Sequence, residues 1–82
     1  MRLTRRITNP VYTFVVFMDG RQDILQVESN SKTYALNYFF DYVDLSSVNL
    51  TLSSCHYFNK QGELKDINLV EAYKRRVNEG VL

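Results

Sequence analysis

Eighty-two residues with 45% hydrophobic and 23% charged side chains make one globular domain, 1–82, with no room for a separate catalytic domain and no membrane-like or disordered composition. A lone cysteine, Cys55, rules out an internal disulfide or a thiolate metal cluster and fits a reducing cytoplasm. The net charge of +1 is unevenly spread: outside residues 7–73 six basic residues face one acid, inside them four basic residues face eight acids, so the ends are basic and the body acidic.

Met1 to Asn9 is polar and carries Arg2, Arg5 and Arg6, which reads as a basic, flexible arm over 1–9. With the apolar run from Val11 it superficially resembles a secretory signal. That run is short, contains Thr13 and meets Asp19-Gly20 with no small-residue cleavage site, so a strand explains it better. Asn9-Pro10 opens the strand, because a residue before proline is pushed out of the helical region.

Val11 to Glu28 is the organising stretch. Two strand-like runs flank Asp19-Gly20, a turn pair that accepts the positive φ angles of a tight hairpin. Whether the loop holds two residues or four, Tyr12, Phe14, Val16, Leu25 and Val27 share one face, which calls for a helix laid on it. The other face mixes Thr13, Gln26 and Glu28 with Val15, Phe17 and Ile24, and so offers a second, adhesive surface.

Ser29-Asn30-Ser31 supplies N-cap residues for a helix from about Lys32 to about Val43, whose apolar stripe is Ala35, Leu36, Phe39, Phe40 and Val43. Tyr34, Tyr38 and Tyr42 recur every four residues and form a second stripe beside it. Such a row either closes the edge of the core with its hydroxyls in water or serves as a binding stripe, since tyrosine is enriched at protein interfaces.

Asp44 to Ser47 breaks the helix, and Val48 to Leu52 alternates as a third strand beside the hairpin, with Cys55 and Tyr57 swapped onto the inner face through a bulge. Asn59 to Gly62 is a turn and Glu63 to Lys65 a short return strand. Asn68-Leu69-Val70-Glu71 has the form of a capping box that starts a last helix, with Leu69, Val70, Tyr73 and Val77 on one face and Gly80 as its stop. Lys74, Arg75 and Arg76 in its second half suit the negative end of the helix dipole. Asn49-Leu50-Thr51 matches a glycosylation acceptor, by chance in a chain with no secretory signal.

No phosphate-binding glycine loop, dinucleotide fingerprint, metal-spaced His or Cys set or nucleophile elbow is present, so no catalytic, cofactor-binding or metal residue is assigned and no small-molecule substrate is implied. Cys55 and His56 are strand neighbours that point to opposite faces, the wrong geometry for a nucleophile and its base. Two binding readings compete. Arg2, Arg5, Arg6, Lys74, Arg75 and Arg76 could contact phosphates while exposed tyrosines stack on bases, although the acidic body opposes a nucleic-acid backbone. The protein-binding reading uses Tyr34, Tyr38 and Tyr42, with Phe17 and Ile24 as a second surface and a homodimer as the simplest way to cover the sheet.

The order of strand, Asp-Gly turn, strand, Ser-initiated helix (Ser31 to Val43) and strand (Val48 to Leu52) resembles small phage-encoded accessory proteins, including inhibitors of host polymerase and of CRISPR effectors. That resemblance of layout covers residues 11–58 and implies a protein that occupies another protein's surface. The last helix departs from the shortest such layouts. The expectation is an α+β domain, ββαββα, in which one or both helices pack on one face of a three- to four-stranded, mainly antiparallel sheet.

Overall fold

The structure is a computed structural model and describes residues 9–79. Its order is β1 (Val11–Met18), β2 (Arg21–Glu28), α1 (Lys32–Tyr42), β3 (Ser54–Phe58), β4 (Leu64–Ile67) and α2 (Leu69–Asn78). The four strands form one antiparallel sheet in the order β2-β1-β3-β4. This is the expected ββαββα class. The basic arm at 1–8 and the helix stop at Gly80 lie outside the described residues.

The β1–β2 loop holds two residues, with Met18 opposite Arg21. Asp19 (φ 52°) and Gly20 (φ 77°) both take the left-handed conformation, which matches the twist of the flanking strands. In the resulting register Phe14 faces Leu25 and Tyr12 faces Val27 on the inner side. Tyr12, Phe14, Val16 and Val27 are buried there with Ala35, Phe39 and Phe40 of α1, Cys55 of β3 and Leu69 of α2. The Phe14 and Phe39 rings stack at 4.4 Å between centroids and pin α1 to the sheet. Both helices cover this face, and Phe40 of α1 meets Tyr73 of α2 at 5.6 Å.

Helix α1 begins where Ser31 caps it, its side chain accepting from the Tyr34 N–H at 3.1 Å. It ends as Val43 turns to extended backbone, and Asp44 then accepts bonds from the Ser46 N–H and hydroxyl. Helix α2 is capped by Asn68, which accepts from the Glu71 N–H at 3.0 Å. The second hairpin turns at Asn59 to Gly62, with Gly62 at φ 81° and the Asn59 carboxamide accepting the Gln61 and Glu63 N–H groups.

One strand lies elsewhere than expected. Val48 to Leu52 makes a single bridge, Val48 to Met18, and then turns. The Asn49 side chain accepts the Leu52 N–H at 3.2 Å, and the Asn49 backbone carbonyl accepts the Ser53 hydroxyl at 2.8 Å. Asn and Ser side chains thus offer the backbone local partners that compete with a ladder, which alternation alone does not register. The third strand is Ser54–Phe58, and Cys55 and Tyr57 reach the inner face because β3 starts beside them, without a bulge. The displaced segment still completes β1: the Asn49 N–H donates to the Phe17 carbonyl at 2.8 Å, and the Phe17 N–H donates to Ser53 Oγ at 2.9 Å.

Candidate interaction surface

Tyr34, Tyr38 and Tyr42 stand along α1 with 58%, 43% and 66% of their surface exposed. Tyr38 and Tyr42 stack at 6.0 Å with ring planes 10° apart, and Tyr34 lies 6.4 Å from Tyr38. The row is therefore an aromatic ladder along the surface of α1, each ring part covered and part exposed. Its place follows from the helical period: Asn37, Phe40 and Asp41 turn toward α2, so Tyr38 and Tyr42, some 100° or more around the axis, line the flank away from it. On that side the sheet ends in β2.

Phe17 and Ile24 sit on the opposite, helix-free face of the sheet, as diagonal neighbours in the β1–β2 register. Phe17 is half-buried, whereas Ile24 is 69% exposed. The structure adds a pair that the sequence reading missed: Phe58 and Leu64, opposite each other across β3 and β4, are 59% and 56% exposed on the same face. Neither was visible beforehand, because placing the third strand at Val48 to Leu52 left the parity of Phe58 unassigned. The helix-bound and helix-free candidate surfaces do not merge into one patch; they approach each other only at the outer edge of β2.

Of the basic residues, Arg2, Arg5 and Arg6 lie outside the described residues. Lys74 pairs with Glu71 at 3.9 Å in solvent, and Arg75 is exposed. Arg76 turns inward. Its side chain is 9% exposed, donates to Asn37 Oδ1 and, at 2.9 Å, to Asp41 Oδ1, and lies over the Phe40 ring at 5.6 Å. Spacing along α2 shows where Arg76 points but not that α1 presents an amide and a carboxylate to receive it. Val77, expected on the buried face, is instead exposed, and Ala72 packs against the core beside Leu69 and Tyr73.

A groove of about 340 Å³ runs between α1 and α2. Lys32, Arg75 and Arg76 line it together with Asp66, Glu71 and Glu79, so its charges balance and select neither an anion nor a cation. Cys55 is buried, and that burial, with the Asp66 charge as a smaller contributor, pushes its thiol up to about 12. Such a thiol is a packing group rather than a nucleophile at neutral pH. His56 faces the other side of the sheet, opposite Thr13 and Asp66. Among the described residues no three His, Cys, Asp or Glu side chains could hold a metal ion, and no helix is long and apolar enough to cross a membrane.

Comparison with protein-family models, with curated proteins and with solved structures finds no match to this chain.

Proposed function

We propose that this protein is a non-catalytic, protein-binding accessory module that works by occupying a protein surface in the cytoplasm. The observation that carries the reading is the exposed tyrosine ladder on α1. Three aromatic rings held in mutual contact lose little side-chain entropy on binding, and tyrosine supplies contact area together with a hydroxyl that tolerates solvent when the site is empty. Phe17 and Ile24 provide a second, smaller contact from the other side of the sheet. The layout resemblance to phage-encoded inhibitors fits this mode of action, in which blocking a host protein requires area and shape but no chemistry.

The reading is tested by capturing partners of the tagged protein from its host's lysate, with and without nuclease, against a Tyr38→Ala control. The expected outcome is a nuclease-resistant protein partner that Tyr38→Ala loses. Because Tyr38 is 43% exposed and lies outside the buried core, the same change is expected to cost no more than about 1 kcal/mol in urea unfolding. A partner retained by Tyr38→Ala, or material recovered only without nuclease, would reject the tyrosine ladder as the binding surface; the second result would point to the basic ends instead.

A further inference from the structure

Strand β2 is the longer of the sheet's two edges, eight residues against four in β4. Short, charged strands blunt an edge, and β4 fits that description with Lys65 and Asp66. No bulge or proline interrupts β2. The hairpin register determines which of its backbone groups are open. In a two-residue hairpin Met18 and Arg21 exchange hydrogen bonds, so Arg21, Asp23, Leu25 and Val27 direct theirs to β1, and Gln22, Ile24 and Gln26 direct theirs outward. The Phe17 bonds to Asn49 and Ser53, on the far side of β1, agree with this parity. Gln22, Ile24 and Gln26 are uncharged, with the charged Glu28 following at the end of the strand, and Ile24 is the most exposed large apolar side chain among the described residues.

We infer that the occupant of this edge is a second copy of the chain, joined by antiparallel β2–β2 pairing about a two-fold axis at Ile24, with the tyrosine ladders of the two α1 helices facing each other above the joined sheet. The inference rests on the reading of the α1 flank as a protein-binding surface and replaces a host protein with a second copy of the chain as what occupies it. In this register Ile24 opposes its own copy and Gln22 opposes Gln26 of the other chain, apolar against apolar and amide against amide, with about six main-chain hydrogen bonds. Asp23 faces Leu25 and Arg21 faces Val27, so no like charges meet. Moving the axis to Asp23 would set two carboxylates against each other, and moving it to Leu25 would set Ile24 against the Gln26 amide.

The helices agree with the same axis. Helix α1 lies over β1 and β2, with Phe39 stacked on Phe14. With strands about 4.8 Å apart, the two-fold axis places the α1 axes about 10 Å apart, at the spacing of packed helices. Three tyrosines about half exposed, at roughly 200 Å² each, bring ~300 Å² per copy before Ile24 and the edge itself are added. Two copies therefore approach the ~1,000 Å² total that a specific interface needs.

Sedimentation equilibrium over a concentration series tests the inference. The expected result is a dimer whose Kd rises at least about tenfold (~1.4 kcal/mol) with Ile24→Lys and again with Tyr38→Ala, while Phe58→Ser, on the same sheet face but away from the edge, leaves it unchanged. Circular dichroism checks that each variant is folded. Independently, Ile24→Cys should form a disulfide-linked dimer on mild oxidation, since an antiparallel hydrogen-bonded pair at the axis sets the two Cα atoms ~5.5 Å apart, within disulfide range; Phe58→Cys should not. A monomer at every concentration overturns the inference, as does a dimer that Phe58→Ser dissociates and Ile24→Lys does not. A monomer that still captures a different protein through Tyr38 overturns the second copy as occupant but leaves the binding surface standing.

Discussion

Cys55 lies opposite Phe14 and Ile67 at the centre of the inner face, where the low dielectric disfavours a thiolate. Its thiol titrates at about 12 in the folded chain against an ordinary value near 9. The proton is then held by the native state and released by the unfolded one, so this residue's contribution to stability is intact below pH ~9 and is lost as pH rises from there toward 12. Two outcomes follow for alkylation and unfolding. Iodoacetamide at neutral pH should label Cys55 only as fast as the chain unfolds, and Cys55→Ala should flatten the alkaline decline in stability measured by urea unfolding. Rapid labelling of the folded protein would show that the thiol is accessible.

At the scale of elements, Arg76 adds its packed stem and its hydrogen bonds to the apolar contacts of Leu69, Ala72 and Tyr73 that hold α2 in place. The Arg76 stem lies over Phe40 and its head reaches Asn37 and Asp41, while Val77 stays in solvent. Long cationic side chains often cover apolar surface in this way. Arg76→Ala should destabilise the protein by about 1–2 kcal/mol, since both packing and hydrogen bonds go. Arg76→Met keeps the stem and should recover most of that loss, because Asp41 is exposed enough for water to replace the guanidinium. Equal losses for the two variants in urea titrations would assign the linkage to charge rather than to packing. The same contact removes Arg76 from the solvent-facing basic cluster that the primary structure proposes for nucleic acid.

For the whole molecule the decisive quantity is the small core. A domain of this length has a stability of about 4–12 kcal/mol, and Phe39 is fully buried against Phe14 and Phe40. Phe39→Ala should cost about 3–5 kcal/mol and leave a large unfolded fraction at 37 °C, detectable as lost cooperativity in thermal melts. A cooperative melt near the wild-type temperature would mean that the core lies elsewhere. A sheet with helices on one side only also leaves its other face and its β2 edge to solvent or to a partner, and the surfaces proposed for binding are the ones this architecture does not cover.

The linear order of residues was enough for whatever depends on neighbours close along the chain. Asp19-Gly20 places a tight turn between β1 and β2 because it accepts positive φ angles, either loop length gives the same β1–β2 parity, and Ser31 and Asn68 start their helices by accepting N–H bonds three residues on; the two-residue length itself came from the strand pairing. The tyrosine ladder was legible for the same reason, as a four-residue repeat on a helix. Tertiary structure decided what depends on distant segments: whether Val48 to Leu52 pairs or turns, which face Phe58 and Leu64 take, and where the Arg76 charge goes. Those outcomes turn on competition between local bonds, such as Asn49 to Leu52, and partners more than thirty residues away, such as Ser53 to Phe17 and Arg76 to Asn37. Periodicity describes only the first kind of partner, so the second becomes visible once the sheet and both helices are in place.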